Sequence, residues 1–324
     1  MLERCGRMRC LKSLTLRYAD NRFRANPTAQ QFLRLLSLSA SAGKMSELQV
    51  QSLVSACPKL QSFSLTDSTI TLTNPHGTLN LTSSTPKEFF LGGIRLHSVI
   101  LEANSLKKLG LAWCDFTNFK LVTKGACKLS SLSLKTVDID HLDLGSHTHC
   151  LGLKKVEVKE PCSSVWTVVD SILSKPSLKL RELQLKGIPQ GTNYPIPLGA
   201  HHPMNLNLET IACLFPHLNH LGLSYTLVEN NLPTGVESQL LQGSTVLERV
   251  QFLELGCPEL EEHLLLLMSG ALKRCPNLRK LQVSIEEDST FKCEFMTSFV
   301  KLVHKFPRVD IKFEHLDIKS GNAS

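Results

Sequence analysis

The chain is 324 residues long, beyond the roughly 250–300 at which one compact core stops growing, so it holds two domains or a stacked repeat. Hydrophobic residues at 42% and charged residues at 20% exclude a disordered chain. The net charge of +7 is spread along the sequence with no block of five or more like charges, which excludes a basic nucleic-acid tail and points at most to acidic partners.

Residues 1–16 alternate charge and leucine without the apolar run of a secretory signal. The longest apolar run, 264–268, falls far short of the roughly 18 residues of a membrane span. The expectation is a cytoplasmic or nuclear protein with no membrane and no nucleic-acid partner. Eleven cysteines in such a compartment read as reduced, small core residues, and the sequon at Asn80 then has no use.

In chain order, one unit recurs: apolar-x-x-apolar-x-apolar. It appears as Leu11-Leu14-Leu16, Leu60-Phe63-Leu65, Leu106-Leu109-Leu111, Leu129-Leu132-Leu134 and Leu153-Val156-Val158. It continues as Leu180-Leu183-Leu185, Leu218-Leu221-Leu223, Val250-Leu253-Leu255 and Leu278-Leu281-Val283. Starts at 106, 129, 153 and 180 lie 23, 24 and 27 residues apart, inside the 20–29 of a leucine-rich repeat. Cys114 stands where that repeat carries Asn or Cys. The early step from 11 to 60 is long enough for an insertion or a degenerate copy.

Apolar residues two apart share one face of a short strand, and the residue between them points the other way. Parallel strands require a crossover, so each repeat returns on the far side. Three crossovers, 48–57, 264–275 and 295–306, carry a helical stripe closed by Pro58, Pro276 and Pro307. The shorter ones, 116–122 and 139–144, alternate and predict short convex strands. The last unit, 309–313, keeps alternation but loses the repeat frame, and the polar tail 319–324 is expected to fray. The fold expected is an α/β leucine-rich-repeat solenoid: a curved parallel concave sheet, with helices and short strands on the convex side. It spans 1–324 as one domain of irregular repeats, with an inserted loop around 187–205.

The units Cys57-Pro-Lys-Leu-Gln-Ser-Phe-Ser-Leu65 and Cys275-Pro-Asn-Leu-Arg-Lys-Leu-Gln-Val283, with the variant Phe215-Pro-His-Leu-Asn-His-Leu-Gly-Leu223, resemble the repeats of F-box/leucine-rich-repeat proteins. Mixed with short units such as 106–114, they look most like plant members. The resemblance implies that the repeats hold a protein substrate for ubiquitin transfer and degradation, while an N-terminal F-box docks on the Skp-type adaptor of an SCF ligase. No F-box segment stands in this chain, and only a few residues precede the first repeat. An F-box ahead of Met1 in a longer form is therefore the condition for adaptor binding.

No catalytic signature is present: no Gly-x-Ser-x-Gly elbow, no phosphate loop and no His-Glu-x-x-His. His147, His149 and Cys150, or Cys5 and Cys10, lack the second pair a zinc site needs and read as loop residues. His201 and His202 sit in the 187–205 loop, a mobile segment or a lid over the sheet. No cofactor and no metal are expected, and the chain is expected not to be an enzyme.

The site expected is the concave face. Lys108, Ser133, Lys135, Lys155, Glu157, Lys159, Glu182, Gln184, Lys186 and His220 all take outward positions, followed by Phe252, Glu254, Lys280 and Gln282. Five lysines between 106 and 186 make a stripe suited to an acidic or phosphorylated protein segment, against the plainer reading of solvated surface lysines. The function expected is substrate recognition for an F-box-type ubiquitin ligase. A repeat sensor or a scaffold unrelated to ubiquitin transfer is the alternative.

Overall fold

The computed structural model describes residues 11–17, 34–41, 43–72, 77–83, 85–125, 128–145, 152–159, 162–173, 179–186, 208–224, 246–256, 261–286 and 293–316. The loop expected at 187–205, residues 147–150, Cys5, Cys10 and the tail 319–324 lie outside them. Two compact units divide the chain: Met1–Leu153 with Pro161–Ile172, and Lys154–Glu160 with Leu173–Ser324.

Unit 1 carries strands β1 Ser13–Arg17, β2 Ser37–Ser41, β3 Lys44–Ser46, β4 Ser62–Thr66, β5 Thr69–Thr71, β6 Thr78–Thr82, β7 Glu88–Gly92, β8 Arg95–Glu102, β9 Lys108–Ala112, β10 Asp115–Val122, β11 Ser131–Lys135 and β12 Asp138–Asp143. Helices α1 Glu47–Ser55 and α2 Ser163–Leu173 complete it, save Leu173 itself. Within it β1-β2-β4-β7-β9-β11 form one parallel ladder, and β6-β8-β10-β12 form a second on the return path. The convex strands expected around 116–122 and 139–144 are β10 and β12. Unit 2 carries β13 Lys155–Lys159, β14 Glu182–Lys186, β15 His220–Ser224, β16 Phe252–Gly256, β17 Lys280–Glu286 and β18 Asp310–Leu316 as a parallel ladder in that order. Its crossovers include helices α3 Leu208–Leu214, α4 Glu261–Arg274 and α5 Cys293–Lys305. Both units have the α/β leucine-rich-repeat architecture.

The pattern of burial explains the strands. β4, β11, β13 and β14 alternate half-buried and buried residue by residue, with Phe63, Leu65, Leu132, Leu134, Val156, Val158, Leu183 and Leu185 all at or below 1% exposure. Parallel registers place like on like: Leu132 beside Leu109, and Leu183 beside both Val156 and Leu221. Each strand therefore completes its neighbour's core, which is why a single repeat is not stable alone.

Two repeats escaped the sequence pattern. β2 pairs between β1 and β4, with Leu38 and Ala40 in the inward slots, so the long early step holds a degenerate copy. β7 pairs between β4 and β9, with Phe89 and Leu91 inward. At the far end, 309–313 keeps its alternation, with Ile311 and Phe313 in register with Leu281 and Val283, and departs from the repeat frame by one residue, as the sequence leads one to expect. Val309 opens this copy as Leu278 opens the one before it, but it stands two residues ahead of Ile311 where Leu278 stands three ahead of Leu281.

The Cys-Pro-x-Leu unit is a turn that joins a helix end to a strand. Leu60 N–H donates to the Cys57 carbonyl at 3.0 Å, and the same bond recurs from Leu218 to Phe215, Leu278 to Cys275 and Val309 to Phe306. Proline after the turn's first residue presets its φ and bars the helix from continuing. At the other end of α1, Ser46 Oγ accepts from Gln49 N–H while Gln49 Oε1 accepts from Ser46 N–H at 2.7 Å. Ser46→Ala is expected to cost about 1 kcal/mol; a urea titration of the purified chain measures it.

Leaving β4, β7, β9 and β11, unit 1 turns a repeated corner. Asp67, Gly93, Trp113 and Thr136 follow these strands, all with φ between 48° and 61°. The first three donate their N–H to the last residue of the next strand, Gly92, Ala112 and Lys135. The residue after each corner, Ser68, Ile94, Cys114 or Val137, is buried. Cys114 fills the signature position as its thiol reaches the carbonyls of Leu91 at 3.5 Å and Ala112 at 3.4 Å. Burial raises the thiols of Cys57 and Cys114 to about 11 and that of Cys275 to about 12.

Candidate functional site

Because unit 2's ladder is in strict register, its outward side chains form rows. One row runs Lys155, Glu182, His220, Phe252, Lys280; the next runs Glu157, Gln184, Gly222, Glu254, Gln282. Neighbours in and between these rows touch. Lys155 Nζ lies 3.0 Å from Glu182 Oε2, and Gln184 Nε2 lies 3.1 Å from His220 Nε2. The His220 ring meets Phe252 edge-on at 4.1 Å between centroids, and Lys280 Nζ stands 4.8 Å over the same Phe252 ring. Lys280 also donates to Gln282 at 3.1 Å.

Glu254 is the buried member, 6% exposed. Its carboxylate takes an ion pair from Lys186, which stands two strands away on β14. The strand between contributes Gly222, and a Cβ there would lie 3.1 Å from Gln184 Cγ and 3.4 Å from Glu254 Oε2. The missing side chain leaves the room in which Gln184 and Glu254 sit. The arrangement is a flush, hydrogen-bonded polar surface with one aromatic ring at its middle, suited to holding a partner rather than to enclosing a reaction.

No protein-family model matches the chain, and no solved structure matches it. It is 32% identical over 322 residues to an F-box/LRR-repeat protein of Arabidopsis thaliana, an alignment that covers 97% of this chain and 72% of that protein. The chain belongs to the F-box/LRR-repeat family.

For this F-box/LRR-repeat chain, the structure gathers seven of the expected residues on unit 2's outward face: Lys155, Glu157, Lys159, Glu182, Gln184, Lys186 and His220. Lys108, Ser133 and Lys135 take the matching outward positions of unit 1. The lysines do not stand as bare positive charge. Lys108 pairs with Glu88 at 2.6 Å, Lys155 with Glu182, and Lys186 with Glu254. What the sequence reading missed is this pairing and the role of Gly222. The Lys155–Glu182 pairing was findable by aligning repeats, since the two are register partners. The Lys186–Glu254 pairing was not, because the two residues lie across two irregular crossovers. Among the described residues no group of His, Cys, Asp and Glu has the makings of a metal site, and no helix is long and apolar enough to cross a membrane.

Burial lowers the His220 pKa; Glu182 and Glu254 oppose the shift, and Lys155 and Lys186 assist it. A histidine held below its ordinary value is more protonated in the unfolded chain. Its contribution to stability is therefore complete above about pH 6.5 and is lost as pH falls through its lowered value. His220→Asn is expected to flatten the stability profile between about pH 7 and pH 5, read by urea unfolding at both ends.

Proposed function

We propose that this chain is a non-catalytic protein-interaction module, the substrate-recognition part of a cytoplasmic or nuclear ubiquitin-ligase receptor of the F-box type. It holds its partner on the outward face of the parallel ladder. The observation that carries this reading is the surface around Phe252, whose ring is held between His220, itself in contact with Gln184, and Lys280, which also donates to Gln282, with the Lys186–Glu254 ion pair on the neighbouring positions. A ring held in place by such neighbours loses little entropy on binding, and central aromatics ringed by polar groups dominate interface energies.

The partner is a segment bearing a phosphate or an acidic cluster. Lys155 already has Glu182, so a single carboxylate would only exchange like for like. A phosphate, with close to twice the charge, competes better for Lys155. The ligase role needs an F-box and a Skp-type adaptor, which this reading takes from the family.

The test is proximity labelling with the chain expressed in cells of its source, followed by binding of each labelled partner to purified protein. A partner of the proposed kind binds at least about tenfold more weakly to Lys155→Ala and Phe252→Ala, weakens after phosphatase treatment, and lives longer when the chain is depleted. Partners whose lifetimes are unchanged by depletion would remove the ligase role. Partners indifferent to both substitutions would remove the site.

A further inference from the structure

Unit 1 has a further surface along the edge at which its ladder strands begin. Each copy opens on a buried residue such as Leu60 or Leu106, and the described residues just before and after it are exposed or half-buried. Each of the six copies places one cation there: Lys12, Arg34, Lys59, Lys87, Lys107 and Lys128, all exposed. No carboxylate stands among the described residues of this row, whose other members are Ser, Thr, Gln and the half-buried Leu36. Positive charge that is spread along the sequence is thus gathered in space by the repeat.

Leu36, Gln61, Lys87, Lys107 and Ser130 donate their N–H groups to the carbonyls of Lys12, Leu36, Gln61, Lys87 and Lys107 at 2.7–2.8 Å. The edge is therefore pinned rung to rung at the roughly 4.8 Å spacing of neighbouring strands. Like charges on adjoining rungs repel, so the fold gains nothing from placing lysine there. The neighbouring carboxylates are committed elsewhere. Glu88, next to Lys87, pairs with Lys108 at 2.6 Å, and Glu102, in the recess lined by Pro58 and Thr85, pairs with Lys124 at 2.8 Å. Among the described residues no carboxylate pairs with the six cations. The corresponding turns of unit 2 include Glu248 and Asp310, so the uninterrupted row belongs to unit 1.

Charge selects the occupant. The five N–H groups of the edge are spent within the ladder, so it offers no nest of donors for a single phosphate. Its described residues include no aromatic ring on which bases could stack and no exposed apolar side chain to enter a bilayer. What remains is five ammonium groups and one guanidinium on long stems, evenly spaced and unpaired by any described carboxylate. Such a row answers a run of negative charge rather than one anion. In an extended acidic segment the carboxylates of one face recur every ~6.7 Å, a spacing that flexible lysine stems can follow.

We propose that this edge of unit 1 binds an extended acidic segment of a partner protein, a run of aspartate and glutamate laid across successive copies. It rests on the reading of the chain as an interaction module and uses a surface apart from Phe252. The test titrates the whole purified chain with a labelled oligoglutamate peptide. Binding is expected to weaken as salt rises, and to be about tenfold weaker when Lys59→Gln, Lys87→Gln and Lys107→Gln are combined. The combined variant should melt at the same or a higher temperature, since like charges leave the edge, so its loss of binding is not loss of fold. Lys155→Ala with Phe252→Ala should bind the peptide as the parent does. Undiminished binding by the combined variant, or no binding by the parent, overturns the proposal. Tighter binding of a single-stranded oligonucleotide of equal charge, or of phosphatidylserine vesicles, lost in the same variant, overturns it in favour of that partner. Peptide binding lost only with Lys155→Ala and Phe252→Ala overturns it too, while leaving the unit 2 surface standing.

Discussion

Lys186→Met is expected to destabilise the chain by roughly 2 kcal/mol, because it strands the Glu254 carboxylate at 6% exposure without its cation. Methionine keeps the stem's packing, so the loss reports the charge. Restoring neutrality with Glu254→Gln in the same chain should recover most of it. Either substitution alone should cost more than the pair, and a double-mutant cycle by urea unfolding reads the coupling directly. Equal and additive losses would mean that the ion pair contributes little and that Glu254 is held by other groups.

A larger loss, about 3 kcal/mol, is expected from Leu132→Ala. Leu132 is fully buried and pairs in register with Leu109. In a stack of repeats the damage should concentrate on the changed repeat and its neighbours. Hydrogen exchange should therefore quicken first in β9 and β11 and leave β16 and β17 protected. Uniform loss of protection through both units would show that the repeats unfold as one block.

The fold was legible where a repeat obeys apolar-polar-apolar, since that alternation is forced by a strand with one face in the core. It failed where the outward residue is itself apolar. Phe90 between Phe89 and Leu91 hides β7, because three apolar residues in a row give no period. β2 hides for a different reason: Ala40 is small, and Leu35 and Leu36 blur the frame. The last repeat leaves the frame because Val309 opens it one residue late, although Ile311 and Phe313 still take the positions of Leu281 and Val283. Of the site, the outward positions could be read and their alliances could not. Counting along one strand gives which way Lys186 points. Knowing that it meets Glu254 requires the register of three strands and the gap at Gly222.

The interior thiols turn the protein into its own stopwatch. At neutral pH a thiol raised to about 11 or 12 is almost wholly protonated, and an alkylating reagent must also wait for the core to open before it can reach Cys57, Cys114 or Cys275. These three lie in separate repeats, two in unit 1 and one in unit 2. The order in which they acquire a label is thus the order in which the stack breathes. A bound partner that clamps one stretch of the ladder should stop one clock and leave the others running.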